Sequence, residues 1–456
     1  MDASGASRQE PPPRIETTIA TLGEVHWPWH APGLAFADDV PVDLIVGRDV
    51  CDTLRKPLRL AFEVAGPRRT LYADPATVRC AIATCGGLCP GLNDVIRSIV
   101  HTACNTYHVR EVLGFRHGLA GIAHCEALPP LPLVSSLVEN ISELGGSFLG
   151  TSRGAQDIGA ILDALERSRV RCLFLIGGNG TMKAALAIER AARRRAGGPA
   201  VIGIPKTIDN DIPFVPQSFG FETAVERAAE AIRCAWVEAV SVRNGIGVVK
   251  LMGRESGFIA AHAANAQRNA DFVLIPEVPF VLDGPGGLLQ ALERRLAHQA
   301  HALLVVAEGA GRHLFDTSPT RRRDSSGNRV LPETAALLMD RIAAHLAARS
   351  IPHNFKYIDP SYLIRSVPAN PADKIYCNLL GQYAVHAAMC GRTGMVVARL
   401  MDTFVHLPLE LVCRKRRVLN LESPLWCSIR ECMENPAAPA HSAKERSAWM
   451  KEQKSV

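Results

Sequence analysis

Apolar and polar positions follow two kinds of pattern, and segments of the two kinds alternate along the chain. Short, mainly apolar runs at residues 78–84, 173–177 and 245–251 are typical of strands buried in a parallel sheet. Longer stretches at residues 94–106 and 222–240 place apolar residues at every third or fourth position, which indicates amphipathic helices. Because strand and helix patterns alternate, the sequence predicts an α/β fold rather than an all-α or all-β one.

The same patterns predict elements on both sides of these. Strands are expected at residues 109–115, 272–275, 302–307, 355–358 and 393–400, and helices at residues 131–144, 158–167, 258–266, 288–300, 332–349 and 372–389. Residues 1–41, rich in proline and small side chains, are expected to form a tail or an arm, and residues 42–46 and 58–64 could add short strands to the body or to a partner. Residues 312–329 are predicted to be a mobile polar loop and residues 441–456 a charged tail.

Residues 173–211 contain two apolar runs that each end in a polar or glycine-rich loop. The first loop, at residues 177–181, reads Gly-Gly-Asn-Gly-Thr, and the second, at residues 206–211, reads Lys-Thr-Ile-Asp-Asn-Asp. With helix-prone sequence between them they predict a βαβ unit, with both loops at the carboxyl ends of parallel strands, where α/β sheets bind ligands. The first loop lets backbone N–H groups approach phosphate oxygens, and the second presents a hydroxyl, two carboxylates and an ammonium. Together they predict phosphoryl transfer.

Composition indicates which class of protein the chain belongs to. The chain has 456 residues, of which 47% are hydrophobic and 21% charged, which is enough for a large core and two domains. A net charge of +6 and 5% aromatic residues do not indicate nucleic-acid binding. The thirteen cysteines are dispersed without a Cys-x-x-Cys pair, which favours reduced thiols in a cytoplasmic protein. We expect no membrane span, since no apolar run reaches about 18 residues, and no secretory signal.

Polar residues that follow other strands supply the remaining chemistry of phosphoryl transfer. Asp209 is the candidate base, with Thr207 orienting the phosphoryl group or the acceptor, although Asp209 could instead form an Asx turn. Arg153 and Arg254 are candidate cations for the transition state, although either could be a solvated surface arginine.

Three further side chains could bind the acceptor. Glu308, after an apolar strand, could accept from a sugar hydroxyl or could be an acid at a helix N-terminus. Arg365 and Tyr362 could bind a substrate phosphate, although a structural arginine fits this spacing equally well.

Six stretches resemble the 6-phosphofructokinase family in order and spacing: residues 86–93, 177–181, 205–211, 252–254, 307–309 and 357–365. The likeness is to the long plant and trypanosomatid-like ATP-dependent branch and runs from about residue 73 to residue 407. The resemblance implies two Rossmann-like three-layer lobes and the glycolytic phosphorylation of D-fructose 6-phosphate to fructose 1,6-bisphosphate by Mg²⁺-ATP. It also implies a homotetramer or a homodimer, whereas composition and the lack of a long apolar run indicate neither a nucleic-acid nor a membrane partner.

The resemblance further divides the chain. We expect an N-terminal extension at residues 1–77, a nucleotide-binding lobe at residues 78–220 plus about 364–410, a sugar-phosphate lobe at residues 221–363, and a C-terminal extension and tail at residues 411–456.

Site residues are carried over where the motifs match. ATP-binding positions are Gly87, Arg153, Gly154, Gly178, Asn179, Gly180 and Thr181. Sugar-phosphate positions are Thr207, Ile208, Asp209, Met252, Gly253, Arg254, Glu308, Lys356, Tyr362 and Arg365. The catalytic group is Asp209, Thr207, Arg254 and Lys206. In it, Asp209 accepts the proton of the sugar 1-hydroxyl and Arg254 meets the transferring phosphoryl group. Lys356 lies where a basic residue often reaches a phosphate across a subunit interface.

Two positions bear on the donor, and two depart from the family. Gly180 leaves room for a nucleotide where pyrophosphate-dependent relatives have an acid, and Lys206 is typical of pyrophosphate users; the combination resembles the plant and trypanosomatid ATP group. Asn179 replaces the aspartate that helps hold magnesium, and its neutral amide oxygen is a weaker ligand for a hard cation. Arg116 replaces an aromatic residue beside the nucleotide.

Three alternatives to an ATP-dependent 6-phosphofructokinase stay open. The first is a weak or inactive regulatory paralogue, because of Asn179. The second is a pyrophosphate-dependent phosphofructokinase, because of Lys206. The third is a lipid or NAD kinase, since these also use a Gly-Gly-x-Gly-Thr loop.

Overall fold

A computed structural model describes residues 15–31, 34–37, 41–46, 58–315 and 331–433. Most of the predicted polar loop at residues 312–329 and all of the predicted tail at residues 441–456 lie outside the described residues. The strands are β1 Ala20–Thr21, β2 Trp27–Pro28, β3 Pro41–Val46, β4 Leu58–Val64, β5 Thr70–Leu71, β6 Arg79–Thr84, β7 Glu111–Phe115, β8 Leu131–Leu133, β9 Cys172–Gly177, β10 Ala200–Pro205, β11 Gly245–Leu251, β12 Phe272–Leu274, β13 His301–Ala307, β14 Asn354–Ile358, β15 Arg392–Thr393, β16 Met395–Leu400 and β17 Thr403–Pro408. The helices are α1 Leu92–His101, α2 Gly118–Ala123, α3 Ile158–Arg167, α4 Asn179–Ala192, α5 Phe221–Val240, α6 Phe258–Gln267, α7 Leu288–Gln299, α8 Arg312–Phe315, α9 Thr334–Ala348, α10 Ser361–Arg365, α11 Pro371–Met389, α12 Leu409–Val412 and α13 Pro424–Cys432.

The larger sheet has nine strands in the order β3-β4-β17-β16-β10-β9-β6-β7-β8. Its five central strands, β16 to β7, are parallel, and antiparallel strands close both edges. Successive residues of β9 enter different cores, since Phe174 and Ile176 pack in one cluster and Leu173 and Leu175 in the other. Both faces of the sheet are therefore covered, which explains why β9 and β10 lack the polar alternation of a half-exposed strand.

The smaller sheet has four parallel strands in the order β12-β13-β11-β14. Its residues also divide between two cores: Ile246 and Val248 pack on one face, and Val249 and Leu251 on the other. The structure thus has two three-layer α/β units, which confirms the predicted fold class. The predicted domain bounds remain a prediction.

Some elements differ from those the sequence predicts. The helix expected at residues 131–144 is wrong: this stretch forms the short edge strand β8 and a 3-10 turn at Ile141–Glu143. Short apolar runs of this kind fit a strand as well as a helix, and Pro132 is tolerated in β8 because that strand lies at the edge of the sheet. The expected strand at residues 393–400 is divided at Gly394, whose φ is +69°.

The strands before residue 65 include two that pack on the larger unit. Strands β3 and β4 join its sheet through β17, so they belong to the body and not to a partner. Strand β17 and helix α13 were not predicted from the sequence. Within the part of the chain that the structure describes, no helix combines the length and apolar character needed to cross a membrane.

Candidate active site

The glycine turn after β6 lies against the loop that contains Arg153. The Gly86 N–H donates to the Ser152 carbonyl at 2.9 Å, and Gly86 has a φ of +85° that favours glycine. A Cβ atom on Gly87 would lie 3.5 Å from an Arg153 guanidinium nitrogen. The structure therefore brings two of the predicted donor-side loops together, with Arg153 and Gly154 exposed to solvent.

The second glycine loop joins β9 to α4. A Cβ atom on Gly177 would lie 2.2 Å from the Thr181 hydroxyl oxygen, so this position has no room for a side chain. By contrast, a Cβ atom on Gly180 would have no atom within 4 Å, which leaves open space at the start of α4. Because α4 is 14 residues long and its first N–H groups have no helical partners, its N-terminus can bind an anion.

Lys206 begins the loop at residues 206–211, called here the acid/base loop, and connects it to the two glycine loops. The side chain is buried, with 6% exposure, and its ammonium donates to the Gly87 carbonyl at 2.7 Å. Burial lowers the pKa of Lys206, and the nearby Arg153 charge lowers it further, while Cys89 and Asp209 oppose the shift. One cation thus fixes the relative positions of two loops at the carboxyl ends of β6 and β10.

Asp211 is the centre of the acid/base loop. It is 3% exposed, and its Oδ1 accepts from the Thr207 hydroxyl at 2.8 Å. Its Oδ2 accepts from the Asn179 amide at 3.1 Å and lies 3.6 Å from Arg416 Nη1. The sequence indicated a second carboxylate in this loop, but it did not indicate these partners. Asp211 and Arg416 are therefore the residues that sequence reasoning missed.

Asp209 is oriented differently from Asp211. Its backbone N–H donates to the Thr207 hydroxyl oxygen at 3.2 Å, and its Oδ1 is buried with no hydrogen-bond partner among the described residues. Burial, followed by the Asp211 and Glu308 carboxylates, raises the pKa of Asp209 to about 7 against the opposing charges of Arg416 and Lys206. A carboxylate with a pKa near neutrality and an uncommitted oxygen is suited to act as a general base.

Asn210 has the turn-forming role that the sequence left open for Asp209. Its φ is +53°, a conformation that asparagine tolerates better than most residues. Its amide donates to the Pro216 carbonyl at 3.1 Å, and its side-chain oxygen accepts from the Ser218 N–H at 2.9 Å. The turn is thus held by Asn210, and the neighbouring Ile208 side chain packs in the core.

The smaller sheet supplies a second group of loops. The Ser256 hydroxyl donates to the Asp209 carbonyl at 3.2 Å, which connects the β11–α6 loop to the acid/base loop. In the same region the Gly309 N–H donates to the Gly253 carbonyl at 3.0 Å, and Arg254 Nε lies 4.0 Å from Glu308 Oε1. The residues that follow β11 and β13 therefore lie together, with Met252 packed against the core.

Glu308 is a second carboxylate with a raised pKa. Burial is the main cause, and the Arg254 and Lys250 charges oppose it. Lys250 bonds Glu333 at 2.8 Å and Asp359 at 3.2 Å, so the end of β14 is tied to the same edge of the sheet.

The remaining sugar-side predictions have different environments. The Arg365 guanidinium stacks on the Tyr362 ring at 4.9 Å, and Tyr362 is 74% exposed. Lys356 lies in the middle of β14, opposite Gly247, and its ammonium is 3.6 Å from Glu238 near the end of α5. Within this single chain, the ion pair with Glu238 turns Lys356 away from the strand ends where the other predicted residues lie.

Magnesium would find few protein ligands here. Among the described residues, no three His, Cys, Asp or Glu side chains converge to form a metal site. Asn179 offers an amide oxygen at the start of α4, while its nitrogen donates to Asp211. Magnesium commonly binds one or two protein oxygens and completes its shell with water and phosphate oxygens. The residues therefore fit an ion that arrives on a phosphate ligand, and not a cage made by the protein alone.

Comparison with known proteins identifies the family of the chain. Residues 79–388 match the family model for phosphofructokinase. An ATP-dependent 6-phosphofructokinase of Amycolatopsis methanolica is 48% identical over 392 residues, which cover 85% of this chain and 85% of the relative. ATP-dependent 6-phosphofructokinase 7 of Arabidopsis thaliana is 41% identical over 90% of this chain and 83% of its own. The Trypanosoma brucei brucei ATP-dependent 6-phosphofructokinase is 43% identical over 82% of this chain and 76% of its own.

Solved structures share the fold at lower identity. A pyrophosphate-dependent phosphofructokinase from Marinobacter aquaeolei has a TM-score of 0.62 at 18% identity and covers 80% of this chain and 94% of its own. The T-state phosphofructokinase of Pichia pastoris has a TM-score of 0.61 at 21% identity over 74% of this chain and 35% of its own. The predicted likeness to plant and trypanosomatid relatives is also confirmed. Since the family model matches well over half of the chain and these relatives align with most of it, the chain belongs to the phosphofructokinase family.

Proposed function

We propose that this protein transfers the γ-phosphoryl group of ATP to the 1-hydroxyl of D-fructose 6-phosphate. The observation that carries the proposal is the Asp209 carboxylate, which is buried, has an oxygen without a partner among the described residues, and lies between the glycine loops and the loops of the smaller sheet. Its pKa of about 7 suits the removal of a hydroxyl proton. The relatives' name, ATP-dependent 6-phosphofructokinase, supports both donor and acceptor.

The donor phosphates would bind at the larger sheet. The N-terminus of α4, with Gly178, Gly180 and Thr181, and the turn at Gly87 would offer backbone N–H groups to phosphate oxygens. Arg153 and Gly154 would lie across from them, next to Gly87. Lys206 would hold the two glycine loops together, through its ammonium on Gly87 and its backbone N–H on Gly177, and place its positive charge near the phosphates.

The acceptor would bind at the smaller sheet. Glu308 would accept a hydrogen bond from a sugar hydroxyl, with Met252 and Gly253 shaping the pocket and Ile208 supporting the loop. Tyr362 and Arg365 would bind the sugar phosphate. Asp209 would take the proton of the 1-hydroxyl, so that this oxygen forms a bond to the γ-phosphorus while the bond to the ADP oxygen breaks. Thr207 would orient this group, and Arg254 would stabilise the charge on the moving phosphoryl group.

Magnesium would be bound by donor phosphate oxygens, water and the Asn179 amide oxygen. When bound it would neutralise charge on the phosphates. Because an amide oxygen is a weaker ligand than a carboxylate, we expect a higher magnesium requirement than an aspartate at this position would give.

The proposal extends to assembly and location. We propose a homotetramer or a homodimer in the cytoplasm, in which Lys356 reaches a phosphate of the neighbouring subunit. Its present partner, Glu238, is 64% exposed at the side chain, so the exchange of that ion pair for a phosphate costs little.

The test is an assay of fructose 1,6-bisphosphate formation with ATP or pyrophosphate over a magnesium titration. ATP is expected to support turnover, because the open space at Gly180 admits a nucleotide. The turnover rate with pyrophosphate is expected to be about a hundredfold lower or undetectable. A higher rate with pyrophosphate would favour the alternative donor. Binding of both substrates without turnover at saturating magnesium would favour a regulatory paralogue.

A further inference from the structure

The C-terminal segment at residues 416–419 crosses both the acid/base loop and the smaller unit. This segment lies beyond the residues that the family model matches. The Arg417 N–H donates to the Asp211 carbonyl at 2.9 Å, and the Leu419 N–H donates to the Glu277 carboxylate at 2.8 Å. Glu277 also accepts from the Gly257 N–H at 3.0 Å, next to the Ser256 that bonds Asp209. The segment is therefore attached by its backbone to both sides of the site.

The Arg417 side chain anchors the segment further. Its guanidinium donates to the Pro216 carbonyl at 2.8 Å and lies over the Phe258 ring at 4.6 Å. Leu419 is buried in the core that both sheets share. These contacts fix the backbone immediately after Arg416 on the acid/base loop.

The Arg416 side chain points to the carboxylate that organises the loop. Its Nη1 lies 3.6 Å from Asp211 Oδ2, while Asp211 Oδ1 accepts from the Thr207 hydroxyl at 2.8 Å. The same hydroxyl oxygen accepts from the Asp209 N–H at 3.2 Å. A continuous series of contacts thus leads from Arg416 through Asp211 and Thr207 to the backbone of Asp209.

We propose that Arg416 is a positioning residue for the phosphoryl transfer: it holds the Asp211 carboxylate so that Thr207 and the Asp209 backbone keep one arrangement. The Lys206 charge also acts on Asp211, but the Asn179 amide that bonds the same carboxylate oxygen as Arg416 is neutral. A buried carboxylate is stable only when it is paired or well hydrogen-bonded. Arg416 supplies that charge from a part of the chain 205 positions after Asp211.

Arg416 also bears on the charge of Asp209. The charged groups that act on Asp209 are Asp211 on its own loop, Glu308 at the end of β13, Lys206 at the end of β10, and Arg416 on the C-terminal segment. Of these, the two cations favour the ionised form and the two carboxylates disfavour it. If Arg416 is replaced by a neutral residue, the proton therefore leaves Asp209 at a higher pH.

The test compares Arg416→Gln and Arg416→Lys with the wild type, and uses Arg414→Gln as a control of equal charge at an exposed position two residues away. We expect Arg416→Gln to lower kcat about tenfold, with both KM values within about twofold, because a positioning residue acts through Asp211. The acidic limb of kcat/KM should move to higher pH in Arg416→Gln and return in Arg416→Lys. Arg414→Gln should match the wild type.

A second measurement does not need activity. Amide hydrogen exchange in the peptide that spans residues 207–211 should be about tenfold faster in Arg416→Gln, while β6 stays unchanged. The activity predictions rest on the proposed function, which the wild type tests by its own turnover, whereas the exchange measurement tests the positioning contact directly. Unchanged exchange in Arg416→Gln would overturn the proposal. So would an unmoved acidic limb in an active enzyme, a rise in KM alone, or a loss of activity that lysine does not restore.

Discussion

At the scale of single residues, two aspartates of one loop have opposite roles. Asp211 has both oxygens occupied by Thr207, Asn179 and Arg416, so it organises the loop. Asp209 has a buried oxygen with no partner among the described residues, and burial raises its pKa to about 7. The difference arises from environment and not from residue type, since the two carboxylates are only two positions apart.

Asp209→Asn is expected to lower kcat by about 10³-fold, because an amide of the same shape cannot accept the hydroxyl proton. The kcat/KM of the wild type should decrease as the pH falls below about 7, where Asp209 gains its proton. The residual kcat/KM of the variant should not show this decrease. Steady-state kinetics over the neutral range of pH measures both effects. Asp340 is exposed on α9, and Asp340→Asn is the matched control. A variant with near wild-type kcat would exclude Asp209 as the base.

At the scale of elements, the glycine loop between β9 and α4 has one position that requires glycine and one that does not. A Cβ atom at Gly177 would lie 2.2 Å from Thr181, whereas at Gly180 it would have open space in the first turn of a helix. The two glycines, three residues apart, therefore have different physical reasons for being glycine.

Gly177→Ala is expected to lower the free energy of unfolding by about 2 kcal/mol, because the added methyl group overlaps Thr181. Gly180→Ala should raise it by up to about 1 kcal/mol, because alanine has the higher helix propensity. Urea unfolding of the two variants side by side measures the difference, and each serves as the control for the other. Equal effects of the two substitutions would contradict the assigned geometry.

The sequence predicted elements best where a strand or helix has a strong pattern of its own. The predicted strand at Gly245–Leu251 and helix at Ile158–Arg167 have the bounds found in the structure. The helix predicted at residues 131–144 is wrong because a short apolar run alone does not distinguish a helix from a strand followed by turns. The glycine and acid/base loops were predictable because they follow apolar strands. The contact of Arg416 with Asp211 was not, since no local pattern shows which distant segments meet.

At the scale of the whole molecule, Glu277 joins the C-terminal segment to the smaller unit. Burial raises the pKa of Glu277 to about 7, although backbone N–H groups of Leu419 and Gly257 lower it. The folded protein therefore holds a proton on Glu277 at pH values where the unfolded chain has lost it. The stability that this proton contributes is fully present below the ordinary glutamate pKa of about 4.5 and is lost as the pH rises through about 7.

Glu277→Gln removes the titration while it keeps the shape of the side chain. The free energy of unfolding of the wild type, relative to this variant, should therefore fall as the pH rises from about 5 to about 8. Thermal unfolding across that range measures the trend, and Glu431→Gln on α13 is an exposed control. Parallel curves for the wild type and Glu277→Gln would show that Glu277 does not hold a proton in the folded state.

The order of strands in the larger sheet has a consequence for synthesis on the ribosome. Strand β10 pairs directly with β16, from Ile202 with Met395, and the whole smaller sheet is made between them. While those intervening residues emerge, the nascent chain has an open, apolar edge at β10 that no later strand has yet covered. Nascent chains that end before β16 should therefore engage chaperones, and release from them should follow the emergence of β16 and β17 rather than completion of the smaller sheet.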